Sequence, residues 1–490
     1  MTKTFNWHQV SRILGHLVVT QSAFLLIAAL VSFIYGEDDL TALLNTALLT
    51  FAAGFAALLI GSKNSGRIGV REGCFVVGVV WVVFSFFGML PFIFSGYIPS
   101  VTDAYFETMS GFTTTGASIL NDIESLPHGL LFWRSIIQWI GGMGIVVLSL
   151  AVLPMMGSGM QLYVAEVPGV TYDRIQPRIK DTARRLWGLY LILTLSEAIL
   201  LSLSGMSLFD AICHSFTTMS SGGYSTKQAS ISHWDSPLIQ YIIIVFMAFA
   251  GINFSLIYSA VMRKTSLKKI FADEEFRTYL SIIVVITVII TIGLTISNRP
   301  TSFGDAELNF RQSLFQTVSI ITTTGFATTD FMLWRPLLWM IILIAMFFGG
   351  SAGSTAGGMK VIRLLVVVKN MYYEFKRRVH PKSIMPVRVN RHVIPENTIN
   401  NVHAFVTVYF ILIAVSVLVL IASGMNIPES VGAAITSLNN VGPGVASIGP
   451  AGNFADIPTF SKWYLSLMML IGRLEIFTIL LLFSRTFWRK

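Results

Sequence analysis

Four short stretches decide how this chain reads: Thr113-Thr114-Thr115-Gly116-Ala117-Ser118, Ser220-Ser221-Gly222-Gly223-Tyr224-Ser225, Thr322-Thr323-Thr324-Gly325-Phe326-Ala327 and Asn439-Asn440-Val441-Gly442-Pro443-Gly444. Aligned on Gly116, Gly223, Gly325 and Gly442, successive stretches stand 107, 102 and 117 residues apart. Each is small and polar, and each follows an amphipathic segment too short to cross a bilayer, at 103–113, 208–219, 309–321 and 428–438. Recurrence of one pattern at similar spacing marks an internal repeat.

The chain around these turns is apolar. Of 490 residues, 54% are hydrophobic and 12% charged, about half the charged share of an ordinary soluble domain. Ten segments reach the roughly 20 apolar residues that a spanning helix needs: 11–35, 41–61, 72–96, 130–156, 182–204, 236–262, 277–298, 335–376, 400–424 and 460–486. The first is long enough to stay in the membrane, so it reads as a span and not as a removable signal. The eighth is too long for one crossing and is interrupted by glycines. Irregular backbone is tolerated at membrane depth only where protein or a water-filled cavity surrounds it. The four short segments are therefore expected to be half-helices dipping into a protein-lined cavity. The expected fold is an all-α polytopic membrane protein. Four pseudo-symmetric repeats of span, pore helix, filter loop and span surround one pore, preceded by two extra N-terminal spans. The expected divisions are 1–68 for the two N-terminal helices, then pore repeats at 69–160, 161–265, 266–392 (whose second helix is broken) and 393–490.

Charge sets the orientation. The N-terminus, 61–72, 157–185, 263–277, 360–399 and the C-terminus hold 27 of the 34 Lys and Arg but 9 of the 25 acids, whereas the segments around the short helices hold 14 acids and 6 bases. Basic loops stay on the cytoplasmic side. The net charge of +9 thus reads as a topology signal and an attraction to anionic lipid, not to nucleic acid.

Four such turns around one axis suit a dehydrated cation, because inward-facing backbone carbonyls replace its water shell. Aiming successive carbonyls to one side requires unusual dihedrals, and glycine reaches positive φ at no steric cost. Thr and Ser are expected to add hydroxyl oxygens. Each half-helix would present its C-terminal end, about half a negative charge, to the cavity. No carboxylate lies in the turns, which argues against a divalent site; neutral carbonyls suit K⁺ or Rb⁺ and, less well, Na⁺. The candidate ion-binding residues are Thr114, Thr115, Gly116, Ala117, Ser221, Gly222, Gly223, Tyr224, Thr323, Thr324, Gly325, Phe326, Asn440, Val441, Gly442 and Pro443, with K⁺ itself held at Thr114, Thr115, Ser221, Gly222, Thr323, Thr324, Asn440 and Val441. Asp103, Glu107, Asp210, Asp305, Glu307 and Asp330 would concentrate cations at the mouth or simply form a solvated rim.

The run from Gly349 to Lys360 lacks the Gly-Lys-Ser/Thr ending of a phosphate loop. Two readings stay open: close helix packing through small residues, or an intramembrane loop plugging the pore, built from Gly349, Gly350, Ser351, Gly353, Ser354, Thr355, Gly357 and Gly358. Arg473, in the middle of the last span, costs at least about 2.5–3.5 kcal/mol at mid-membrane. It is expected to face the pore beneath the filter and bind loop carbonyls; the competing role is a structural pair with Glu475 or Glu197. The eight histidines show no metal-ligand spacing, Cys74 and Cys213 cannot form a disulfide framework, and no nucleophile elbow or catalytic base pair marks an enzyme.

These motifs, in this order and along essentially the whole chain, resemble the Trk/Ktr/HKT superfamily of potassium transporters, most closely the bacterial Trk membrane subunits. Gly-Arg-Leu-Glu at 472–475 adds to the match, and the two N-terminal spans are similar to Trk and not to Ktr. The second turn departs from the threonine-rich pattern, which leaves its register open. The resemblance implies K⁺ uptake across the bacterial inner membrane, with Gly116, Gly223, Gly325 and Gly442 as filter glycines and a restriction at 349–358 and Arg473. It implies a homodimer with one pore per subunit. It also implies a cytosolic ring of regulatory subunits binding NAD and adenine nucleotides (ATP or ADP), for which 174–185, 263–277 and 360–391 are the expected docking segments. K⁺ is the transported ion, and no cofactor is expected on this chain. The energetic readings are a channel-like conductor driven by membrane potential, an H⁺- or Na⁺-coupled symporter, or an ion-binding membrane receptor.

Overall fold

The computed structural model describes residues 5–61, 69–151, 179–261 and 267–488. Parts of two expected docking segments, 174–178 and 263–266, and the boundary expected at 160/161 lie outside the described residues.

The first two spans, Trp7–Tyr35 and Leu40–Gly61, form an antiparallel pair. Gly15 and Gly54 let the two backbones touch: a Cβ on Gly15 would stand 2.9 Å from the Gly54 carbonyl oxygen, the close approach that small residues allow in lipid. Four units follow. Their half-helices are Val101–Phe112, Leu208–Met219, Phe303–Ile321 and Ile427–Asn439. Three of them begin on Ser-x-x-Asp, where Ser100, Ser207 and Ser302 accept the backbone N–H of Asp103, Asp210 and Asp305, satisfying amides the helix cannot. The fourth begins instead with a proline in its first turn, where no amide hydrogen is missed. The third is longer than its apolar pattern predicts, starting at Phe303.

The flanking spans are Val70–Gly88 continued by Leu90–Phe94, His128–Ala151, Ile179–Leu203, Pro237–Ala250 with Phe254–Val261, Glu274–Asn298, Pro336–Ala345 with Val361–Val379, Glu396–Ala422, and Thr459–Arg473 with Phe477–Phe483. The glycine-rich interruption of the eighth is present as expected. Two further breaks interrupt segments read as single spans: the sixth bends by 108° and the tenth by 119°. In the sixth, the Ala250 and Gly251 carbonyls accept Thr355 N–H (3.3 Å) and Ser351 N–H (2.8 Å). Carbonyls diverted to another segment cannot continue the helix ladder. In the tenth, Glu475 and Ile476 take φ of +57° and +51°, a left-handed conformation that ends a helix.

On the basic face, Arg388–Val389 and His392–Val393 pair as a two-residue hairpin through Asn390 and Arg391, both at positive φ, as such tight turns demand. The Asn390 amide donates to Asp273 Oδ2 (2.8 Å) and its oxygen accepts Glu274 N–H (2.8 Å), tying the hairpin to the start of the seventh span.

Candidate functional site

The four turns meet. A Cβ on Gly116 would stand less than 3.0 Å from the Gly222 carbonyl oxygen, one on Gly223 from that of Thr324, one on Gly325 from that of Val441, and one on Gly442 from that of Thr115. The contacts run from the first turn to the second, third and fourth, and back to the first, so the ring closes. The residue contributing the oxygen is in each case the one before a ring glycine. All four glycines have positive φ, between +73° and +104°, and so do Thr114, Ser221, Thr323 and Asn440 two places earlier, whereas Thr115, Gly222, Thr324 and Val441 between them do not. Alternation of this kind turns successive peptide carbonyls to the same side of the strand. Polar side chains at Thr114, Ser221, Thr323 and Asn440 therefore occupy equivalent places on four sides.

Side chains behind the ring hold it. Gln138 donates from Nε2 to the Gly222 carbonyl (2.7 Å) and accepts Tyr224 N–H (3.1 Å), which places the second turn's register. Tyr224 points back into the protein, its hydroxyl donating to the Glu107 carbonyl at 2.7 Å and reaching the Ala117 carbonyl at 3.3 Å. Ser319 Oγ donates to the Phe326 carbonyl (2.7 Å), and the Pro443 ring packs against Gly325. The hydroxyls of Thr115 and Thr324 are engaged by those of Thr113 and Thr322, each at 2.8 Å. Asn440 Nδ2 donates to Thr115 Oγ1 and to the Met469 carbonyl, both at 2.9 Å. The hydroxyls of Thr115 and Thr324 thus also brace the turns. Thr114 Oγ1 and Asn440 Oδ1 are buried and have no hydrogen-bond partner among the described residues.

The 349–358 loop packs directly beneath. Gly349 N–H donates to Met359 O (2.9 Å), Phe254 N–H to Gly353 O (3.2 Å) and Val361 N–H to Gly350 O (3.2 Å). Ser354 Oγ donates to Ser351 O (2.6 Å), and Gly353 and Gly358 sit at positive φ. The loop's far end reaches the ring: Thr355 Oγ1 lies 3.0 Å from Ser221 Oγ, Gly357 N–H donates to Thr323 Oγ1 at 2.6 Å, and Gly357 abuts the Asn439 carbonyl. Arg473, 2% exposed, donates from Nη1 to the Thr355 carbonyl (2.8 Å) and from Nη2 to the Gly141 carbonyl (3.4 Å). Of the two roles weighed for Arg473, the loop contact is the one present. Glu475 pairs instead with Arg363, Oε2 to Nη2 at 2.5 Å, and Arg363 also stacks over the Phe405 ring at 4.0 Å.

Three comparisons bear on this arrangement. The family model described as TrkH, cation transport protein, matches residues 40–490. The chain belongs to the TrkH cation transport family. It is 41% identical to the Trk system potassium uptake protein TrkH of Escherichia coli strain K12, over 99% of this chain and all of that protein. It is 36% identical to the TrkH of Halomonas elongata, over 98% and 99% of the two chains. The crystal structure of the potassium transporter TrkH from Vibrio parahaemolyticus superposes with a TM-score of 0.90 at 38% identity, covering 99% of this chain and all of that one. All three relatives are bacterial transport proteins, and this TrkH family member is, like them, a multi-pass membrane protein of the inner-membrane type.

Some functional contacts of this TrkH family member lie beyond what its sequence shows. Glu107, read there as a mouth acid, is fully buried and paired with Arg134 (Nη2–Oε1 2.8 Å), with Ser118 and the Ile119 N–H as further donors. Arg134 continues to the Ser225 carbonyl (3.2 Å) and lies 4.2 Å from the Tyr224 ring centroid, so the pair couples the first and second turns. Asp103 is paired with Lys462 at 2.6 Å and Glu307 with Arg311 at 2.9 Å. Glu275, 5% exposed, accepts Ala352 N–H of the loop at 2.7 Å. A carboxylate in the first turn of a helix is an ordinary sequence feature, and nothing local marks this one as a loop contact.

Proposed function

We propose that this protein takes up potassium across the bacterial inner membrane through one pore whose filter is the ring of four turns. The observation that carries this reading is the closed cycle of glycine-to-carbonyl contacts, with alternating backbone handedness in every turn. Thr114–Ala117, Ser221–Tyr224, Thr323–Phe326 and Asn440–Pro443 form the filter, the repeats dividing near 69, 161, 266 and 393. Carbonyl oxygens replace water around a stripped K⁺, and the half-helix ends add negative potential. The 349–358 loop and Arg473 form the gate: in the closed arrangement the loop contacts three sides of the ring, and the guanidinium both holds it and repels cations. Membrane potential supplies the driving force. One charge crossing about 100 mV gains about 2.3 kcal/mol, enough for a roughly fortyfold gradient without a coupled ion. The Trk system name of its relatives supports assembly with regulatory partners. The further reading is a homodimer docked on a cytosolic ring of subunits that bind NAD or adenine nucleotides, and the basic helix Val361–Val379, continuous with the gate, suits such contact.

A second reading, H⁺- or Na⁺-coupled uptake, is favoured by Glu197, which is fully buried in the fifth span and makes no ion pair among the described residues. Radio-rubidium flux into liposomes holding only this protein, with and without an imposed potential, separates the two. Flux that follows potential at constant pH and without Na⁺ is expected. Flux that needs a proton or sodium gradient favours coupling, and no flux under any potential overturns both. Removing part of 349–358 raises flux if the loop is the gate, and leaves it unchanged if the loop only packs helices.

A further inference from the structure

One face of the seventh span changes chemistry along its length in a regular way. Read from its cytosolic end at helical spacing, it presents Glu274, Arg277, Thr278, Ser281, Ile282, Val285 and Ile286. Charge gives way to hydroxyls and then to aliphatic carbon over about three turns. The opposite wall repeats the gradient, with Lys369 at the charged level and Leu365 and Phe348 above it, and together the walls enclose an open groove of about 730 Å³, within the range of sites that hold small ligands. The charged end has an unused cation. Lys369 is committed to Glu274 and to the Arg388 carbonyl (2.7 Å), while the Arg277 side chain is exposed and makes no hydrogen bond or ion pair among the described residues.

We propose that this groove binds an anionic phospholipid of the inner leaflet, its phosphate on Arg277, its glycerol region beside Thr278 and Ser281, and one acyl chain along Ile282, Val285, Ile286 and Phe348. Charge complementarity selects the occupant. Glu274 and Lys369 neutralise each other, leaving one guanidinium at the depth of the headgroups, and a guanidinium matches phosphate with two parallel hydrogen bonds. The apolar floor then requires the phosphate to carry a hydrocarbon chain. Phe348 immediately precedes the loop, and its neighbour Gly349 is hydrogen-bonded to Met359, so the lipid lies against the hinge of the proposed gate.

The test is lipid retention by the intact protein, purified from detergent containing equal phosphatidylglycerol and phosphatidylcholine and read by native mass spectrometry. Wild type is expected to keep phosphatidylglycerol in preference. Arg277→Gln should lower that retention at least about tenfold, the value of one lost charge-assisted hydrogen bond, and Arg277→Lys should restore part of it. Ile282→Trp, which fills the groove and leaves the charge in place, should lower retention of both lipids. Equal retention of the two lipids by wild type overturns the proposal, as does an unchanged Arg277→Gln. Competition by glycerol phosphate alone would assign the site to free phosphate, and a disulfide formed between two chains carrying Val285→Cys would assign the face to a second copy; either result also overturns it. Retention does not depend on transport, so this outcome stands apart from the uptake reading. Where uptake is observed, flux in wild type should change with the phosphatidylglycerol fraction of the vesicle, and in Arg277→Gln it should not.

Discussion

The carboxylate of Glu275 and the amide of Ala352 are joined at 2.7 Å across 77 residues of sequence, which pins the near end of the intramembrane loop to the start of the seventh span. The same helix start is held through Asp273 and Glu274 by the hairpin at Asn390. The loop is thus clamped at two charged points, Glu275 at its base and Arg473 at its tip. A hydrogen bond to a charged group contributes about 1.5–3 kcal/mol. Glu275→Ala should therefore raise basal radio-rubidium flux about tenfold or more, while Glu275→Gln, which keeps an acceptor oxygen, should stay near wild type. Equal flux in all three proteins would show that the contact does not restrain the loop.

At the other clamp, Arg473→Ala removes the 2.8 Å bond to the Thr355 carbonyl and a positive charge beneath the ring. Flux in liposomes should rise. Arg473→Lys should fall between, because an ammonium restores charge without the guanidinium's fixed fork. A loss of flux in folded Arg473→Ala would mean that the residue supports the pore instead of restricting it.

The ring has no room for side chains. Gly223→Ala places a methyl against the Thr324 carbonyl oxygen, and flux should be abolished while the helical circular dichroism and the elution profile are kept. Gly205 provides the control: its φ is +99°, but nothing lies within 4 Å. Gly205→Ala bears the backbone strain, about 1–2 kcal/mol, and should conduct normally. Loss of flux in both would point to strain and not to crowding of the ring.

Glu107 and Arg134 are 0% and 1% exposed. Removing one member leaves a buried charge, at a cost of about 3–5 kcal/mol. Glu107→Gln should lower resistance to unfolding by SDS by about that much, and the double change Glu107→Gln with Arg134→Met should recover most of it. A double variant as unstable as the single one would show that the pair's remaining hydrogen bonds, to Ser118 and Ser225, matter more than its charge.

Chain order and composition reveal the positions of the spans, the four half-helices and the interruption at 349–358. Each is a local property: twenty apolar residues must cross, a short amphipathic segment cannot, and a run of glycines cannot sustain a helix. The spacing of Gly116, Gly223, Gly325 and Gly442 also implied that four like turns would converge, since like units pack alike. Which oxygen meets which glycine was settled in three dimensions. So were the partners of the buried charges: Glu475 with Arg363 and not Arg473, Glu107 with Arg134 and not solvent, Glu275 with the Ala352 amide. The bend after Ala250 belongs to the same class, because a backbone carbonyl drawn to a distant segment leaves no trace in its own neighbours. Hydrogen bonds between residues a hundred positions apart depend on how helices are placed against one another, and periodicity along a single helix does not encode that placement.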